Sequence, residues 1–301
     1  MNIKITAVAA EDGLTHPLPR TTAGRPRIEL VVVDLDNTLY DWMAAFIPAL
    51  YELALVASEI LGADLEVLLD ELREVHRLHA DIEHPFALLE TTTVRAAYGP
   101  HGRQRALAAL DPAFLAFNRY RRRTLRFYDG VEATLRAIAD AGVPIVGYTD
   151  ARIVNASFRI RKLGLRRYLS RFYAPASLLG AAVIEDDFVR ALAPTDRKPD
   201  PDILLRICSD HAKSPGRVLF VGDSLTRDVH MAVSAGCRAA WARYGTVHDP
   251  VLWATLLRVS HWTLEDVARE RRLAASAAAD RPDAVLDRFD ELLDVFDIGG
   301  A

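Results

Sequence analysis

Cysteine is scarce: Cys208 and Cys237 are the only two in 301 residues. Two cannot form a disulfide framework, so buried or free thiols in a reducing compartment are expected, with the cytoplasm as the expected location. No uncharged apolar run approaches the roughly 18 residues of a membrane-spanning helix, and the first apolar stretch breaks at Glu11 and Asp12, too early for a convincing signal sequence. An excess of either charge is also missing. Forty-one acidic against 37 basic residues give a formal net charge of -4. That balance offers no argument for nucleic acid, so neither nucleic acid nor membrane is an expected partner. Internal repeats are absent, and residues 41–126 contain no lysine at all.

What is present is organised around residues 29–40, ELVVVDLDNTLY. The run Leu30–Val33 reads as a strand covered on both faces, hence central in a parallel sheet. Two carboxylates, Asp34 and Asp36, follow at its end. On a regular strand they share a face, where their repulsion is costly without a cation or proton. Taken alone, such a pair is equally well a polar strand end leading into a turn.

Residues 3–8 alternate weakly, as an edge strand would, and 11–27 carry Pro17, Pro19, Gly24 and Pro26, an extended lead-in. Behind the two aspartates a helical period takes over up to about residue 126. Trp42, Phe46, Leu50, Leu53 and Val56 form a first stripe, with a bend or break expected at Pro48. Leu65, Leu68, Leu69 and Leu72 form a second, capped by Asp64. Pro85 introduces a third helix, closed by Gly99, Pro100 and Gly102, and residues 103–125 read as one or two more, with Asp111-Pro112 as a start. From Phe127 onward, strands and helices alternate. Strands are expected at 143–148, 172–173, 217–221 and 238–242, helices at 131–141, 151–163, 199–208 and 228–235. That pattern builds a three-layer αβα, Rossmann-like parallel sheet. The expected division is an extension at 1–27, a core at 28–40 and 127–245, a helical insertion at 41–126, and a helical extension at 246–301 with helices near 250–259 and 282–295.

Several strand ends in this core are polar: Asp34 with Asp36, Thr149 with Asp150, and Gly222 with Asp223. Ligands bind at the carboxyl ends of strands in open parallel sheets. Lys198 stands just before one helix and Asp228 at the start of another. Individually these residues read as a surface ion pair, a helix cap or a core-edge hydroxyl. Together they form a set of carboxylates that would repel one another without a hard divalent cation such as Mg2+, and a lysine and a threonine suited to phosphate oxygens.

The stretch DLDNTLY (34–40), the Thr149 strand end, the Lys198-Pro199 pair and GDSLTRD (222–228) resemble, in order, the four motifs of the haloacid dehalogenase superfamily. The helical insertion resembles that family's helical cap of the first type, and the likeness spans about 28–245. It implies a phosphatase of a small phosphorylated metabolite, such as phosphoglycolate, a sugar phosphate or a nucleotide, acting as a monomer or homodimer. It implies Asp34 as nucleophile, Asp36 as acid and then base, and Thr149 and Lys198 on the phosphate. It also implies Mg2+ held by Asp34, the carbonyl of Asp36 and Asp223, with Asp228 nearby. Three alternatives share the fold. Dehalogenases of the family lack an acid at the position of Asp36. A phosphonatase would take a Schiff-base lysine from the cap, where none exists. A non-catalytic phosphate-binding protein would be expected to have lost a motif aspartate, and none is missing.

Two departures stand out. Asp150 occupies a position where relatives often carry asparagine, so its carboxylate must point away or be paired. The stretch 168–198, with Glu185, Asp186 and Asp187 in its middle, is long and reads as a surface loop. Just past the two aspartates, Tyr40, Asp41, Trp42 and Phe46 are candidates to line the substrate space. His76, His79 and His84 with Asp81 and Glu83 read as a solvated helix end. Arg119, Arg121, Arg122, Arg123 and Arg126 read as a largely solvated basic run with room for one arginine aimed at an anionic substrate.

Overall fold

The all-apolar Leu30–Val33 has no polar face to offer water, so it is buried from both sides and becomes the middle strand of the core. The computed structural model describes residues 24–84, 86–176, 187–260, 268, 272 and 281–299. The expected strand at 3–8, most of the lead-in, Pro85, Glu185 with Asp186, and the alanine-rich 274–279 lie outside the described residues. A short β1 (Arg27–Ile28) precedes β2 (Leu30–Val33). The latter joins β3 (Ile145–Tyr148), β4 (Arg171–Pro175), β5 (Val189–Leu192), β6 (Val218–Gly222), β7 (Arg238–Ala242) and β8 (Ala284–Leu286). These form a seven-stranded parallel sheet in the order β5-β4-β3-β2-β6-β7-β8. The chain leaves β2 towards β3 and later returns to the other side of β2 with β6. The sheet order therefore reverses at β2, and a crevice opens at the carboxyl ends of β2, β3 and β6.

Alternation along β2 feeds two layers. Val31 and Val33 pack with α6 (Val131–Asp140) and α7 (Ile153–Leu163), while Leu30 and Val32 pack with α8 (Pro201–Asp210) and α9 (His230–Ser234). This is the expected three-layer core.

The insertion holds α1 (Trp42–Leu61), α2 (Leu65–His79), α3 (Thr92–Tyr98), α4 (Arg103–Ala109) and α5 (Asp111–Thr124), with no strand among its described residues. Tyr40 and Phe127 pair antiparallel where the chain enters and leaves it. Of the bend or break expected at Pro48, the break does not occur: α1 runs through it as one helix. A proline in a helix costs about 3 kcal/mol. Burial of Phe46, Ile47, Leu50 and Leu53 contributes about 1.5–3 kcal/mol per side chain, so packing wins. By length and composition α1 is the one helix among the described residues able to cross a membrane, yet half of that window is buried inside the fold.

Three expectations at the edges need correction. Residues 189–192, read as part of a loop, are edge strand β5, a four-residue element with a half-exposed pattern too short to show a period. Residues 282–295, read as a helix, instead give strand β8, followed by a short α11 (Leu292–Val295). A further strand, β9 (Asp297–Ile298), pairs with β1. The tail is therefore not a separate helical appendage. Its α10 (Pro250–Val259) also places Leu256 and Val259 in the core of the cap. Cys208 and Cys237 are buried thiols with 3.8 Å between their sulfurs.

Candidate active site

Strands β2, β3 and β6 are neighbours, so the residues just past their ends come together without any long side-chain reach. Asp34 follows β2, Thr149 follows β3 and Asp223 follows β6. Asp228 enters from the turn that precedes α9 and Lys198 from the segment before α8. Carboxylate oxygens of Asp34, Asp223 and Asp228 lie within 4.8 Å of one another. Lys198 is buried, and its ammonium forms ion pairs with Asp34 and, at 2.8 Å, with Asp228 Oδ1. The Thr38 hydroxyl donates to Asp34 Oδ2 at 3.1 Å, and the Ser224 amide donates to Asp228 Oδ2 at 2.9 Å.

The electrostatics of this cluster are those of a cation site. Burial pushes the Asp34 carboxyl up to about 7, with Lys198 opposing and Asp228 and Asp36 adding to the rise. Burial, with Asp228 and Asp34 beside it, pushes Asp223 well above the usual carboxylate range. Burial alone would lower the Lys198 ammonium, but Asp228 and Asp34 outweigh it and hold it above the ordinary lysine range. One ammonium thus faces three converging carboxylates, and the donors are all hard oxygens. This set fits Mg2+.

A stability effect follows, with an unusual sign. A folded-state pKa raised from 3.8 to about 7 means that the folded metal-free chain binds more protons than the unfolded one across that window. Its stability then falls as pH rises, by at most about 1.4 kcal/mol per pH unit for one carboxyl. Mg2+ needs the ionised form, so its stabilising effect grows in the same direction. The rise in Tm on adding Mg2+, relative to EDTA, is expected to be small at pH 5 and large at pH 7.5. Calorimetry giving an equal or reversed shift would remove the cluster as the metal site.

Two glycines make the crevice possible. A Cβ on Gly222 would lie 2.4 Å from the Asp228 carboxyl carbon, and one on Gly245 would lie 2.0 Å from the Asn37 carbonyl oxygen. Next to it, the Tyr244 hydroxyl donates to the Thr38 carbonyl at 2.5 Å, and the Trp241 indole donates to the Asp223 carbonyl at 2.8 Å. Sequence reading passed over Gly245, Tyr244 and Trp241, which lie at or beyond the last strand expected to matter.

The remaining expected residues fall as follows. Thr149 is buried, and its hydroxyl oxygen accepts from the Ala151 amide, leaving its proton to donate. Asp150 is paired, its Oδ1 accepting from the Lys198 amide at 3.1 Å and its Oδ2 lying 3.6 Å from Arg227. Asp36 is bound by a residue that sequence reading missed. Its Oδ2 accepts from Arg159 Nη1 at 2.8 Å, while its Oδ1 is buried without a hydrogen-bond partner. Tyr40 is fully buried, and burial together with Asp36 holds its phenol well above the usual tyrosine range. The Trp42 indole donates to Glu83 Oε1 at 3.0 Å and stacks at 5.1 Å on Phe46, which is itself taken into the core of the cap.

The solvated helix end expected around residues 76–84 is instead a packed corner. His76 is buried, with Nδ1 2.7 Å from the Val259 carbonyl of α10. The His79 and His84 rings stack 3.5 Å apart and face the two oxygens of Glu90 at 2.9 and 2.7 Å. His84 Nδ1 is buried without a hydrogen-bond partner, so the neutral ring carries its proton on Nε2 and donates it to Glu90. Asp81 and Glu83 turn inward onto arginines of the core. The basic run keeps one arginine inside: Arg121 lies over the Phe158 ring at 3.8 Å, and burial lowers its guanidinium to about 10.

The family model described as haloacid dehalogenase-like hydrolase matches residues 28–236, well over half of the chain. The chain belongs to the haloacid dehalogenase-like hydrolases. A second, HAD-hydrolase-like model matches 195–292 and takes in strand β8. With its acidic cluster, this hydrolase is a Mg2+-dependent phosphatase of small phosphorylated metabolites that works through an aspartyl intermediate. Among curated relatives, N-acetylmuramic acid 6-phosphate phosphatase of Pseudomonas aeruginosa is 30% identical over 243 residues, covering 79% of this chain and 92% of that one. Phosphoglycolate phosphatase of Agrobacterium fabrum is 26% identical over 234 residues, 76% and 86% of the two chains. Among solved structures, a 2-haloacid dehalogenase from Pseudomonas syringae shares the fold at a TM-score of 0.55 and 22% identity, covering 89% of this hydrolase and 97% of that chain.

Proposed function

We propose that this hydrolase removes the phosphate from a sugar phosphate or a small phosphorylated hydroxy acid, with residues 41–126 acting as a cap over a core of 28–40 and 127–245. The observation that carries the reading is the pairing of Asp34, set among Lys198 and two further carboxylates, with a second carboxylate two residues on that has one oxygen uncommitted. Asp34 attacks phosphorus and forms the aspartyl-phosphate. Asp36 gives its proton to the departing oxygen and then takes one from the water that hydrolyses the intermediate. Lys198 and the Thr149 hydroxyl hold phosphate oxygens as charge builds on them. Asp34, Asp223, Asp228 and the carbonyl of Asp36 are the groups that would hold Mg2+, which supplies charge neutralisation of the transferring phosphoryl group.

The similarity to N-acetylmuramic acid 6-phosphate phosphatase makes that sugar phosphate the first substrate to assay, with phosphoglycolate second. Phosphate release is expected from at least one of them and from a generic aryl phosphate. It should vanish with excess chelator and return with Mg2+. Full turnover in chelator, or halide release from a 2-haloacid without phosphatase activity, would overturn the reading.

A further inference from the structure

The clearest contact between cap and core runs through one helix, α7. Arg152 and Arg159 stand seven residues apart in sequence, two turns along the same face. The loop that follows α2 brings one carboxylate to each. Asp81 meets Arg152 Nε at 2.8 Å, and Glu83 makes a very short contact with Arg159 Nη2. A third contact lies between them, where Arg121 of α5 covers the Phe158 ring. Arg159 is only 5% exposed and is shared: Nη2 goes to Glu83 of the cap and Nη1 to Asp36 of the core. Glu83 is itself fixed by the Trp42 indole.

We propose that Arg159 is a positioning residue for Asp36 and that Glu83 is the part of the cap that sets it. This inference rests on the assignment of proton transfer to Asp36. A guanidinium is a rigid planar fork on a long flexible stem. Held only by Asp36, it moves with that side chain. Held also by Glu83, it is clamped across the domain boundary and fixes Asp36 Oδ2. The other oxygen, Oδ1, is then the atom left to carry a proton to the departing oxygen. When the cap lifts, Asp81, Glu83 and Arg121 leave together, and the clamp on Asp36 is lost. Cap closure and competence for proton transfer are thereby one event, because a donor displaced by about an ångström is a poor one.

The test compares wild type, Asp36→Asn, Arg159→Lys and Glu83→Gln, measuring the rate of the first chemical step by rapid quench. Two substrates are used, nitrophenyl phosphate and an alkyl phosphomonoester. For Arg159→Lys and Glu83→Gln the alkyl rate is expected to fall by about 10- to 100-fold and the aryl rate by less than about 3-fold, with KM nearly unchanged. Glu83→Gln is isosteric and lies on the cap, so it decides the matter if Arg159→Lys does not fold. Equal losses for both substrates, no loss, or a raised KM at constant kcat would each reject the positioning role while leaving the phosphatase reading intact. If Asp36→Asn itself shows no leaving-group dependence, the assignment of Asp36 fails, and the inference fails with it.

Discussion

Asp34→Asn is expected to abolish turnover, with a loss on the order of 10⁴-fold or more in kcat. The amide oxygen is a weak nucleophile, and the substitution removes one of the three charges that converge within 4.8 Å. Two readouts separate this from a general loss of structure. No phosphorylated protein should be trapped on rapid acid quench, and the Mg2+-dependent rise in Tm should shrink at pH 7.5. The fold should survive, because burial makes the ionised Asp34 carboxyl costly in the metal-free chain, pushing its pKa up to about 7, and a neutral amide removes that cost. An Asp34→Asn protein that still formed the covalent intermediate would remove Asp34 from the nucleophilic role.

Asp36→Asn is expected to divide substrates by leaving group. Its side chain is bound by Arg159, and the role proposed for it in metal binding belongs to the backbone carbonyl, so the variant should still bind Mg2+. Loss of proton transfer costs about 10²–10⁴-fold for an alkyl phosphate, whose alkoxide leaves poorly without a proton. Nitrophenolate needs little protonation, so the first step with the aryl ester should suffer least. Hydrolysis of the aspartyl-phosphate still needs a base. The aryl substrate should therefore give a product burst followed by a slow steady state as the intermediate accumulates. Aryl and alkyl phosphates losing equally in the first step would take Asp36 out of the acid role. These outcomes also calibrate the Arg159 and Glu83 variants, which should show the same pattern at smaller amplitude.

Much of the site was legible from residues 29–40, 149–150, 198 and 222–228, because parallel sheets place strand ends side by side. Once β2, β3 and β6 are recognised as strands, proximity of Asp34, Thr149 and Asp223 needs no further information. For Asp150 the sequence left two outcomes, a carboxylate that points away or one that is paired, since an unpaired one beside a phosphate pocket is costly; the structure pairs it with the Lys198 amide and Arg227. Arg159 was not legible. It sits in the middle of an ordinary amphipathic helix, and its sequence signature is that of any solvated arginine. Glu83 lies 76 residues away from it and looked like part of a polar helix end.

The sequence by itself determined the helical character of 41–126, the alternation of strands and helices that follows Phe127, and the identity of the acidic cluster. Each is local, fixed by hydrophobic period or by the residue type at a strand end. Tertiary structure alone decided three other things. It added the edge strands β5 and β8, whose four and three residues are too short to carry a period and pair only because a neighbouring strand is already in place. It drew α10 onto the cap, since an apolar helix near the chain end packs wherever a complementary face is open. And it joined Glu83, Arg159 and Asp36. Buried charges must find partners, and which partners they find depends on how two domains meet in space.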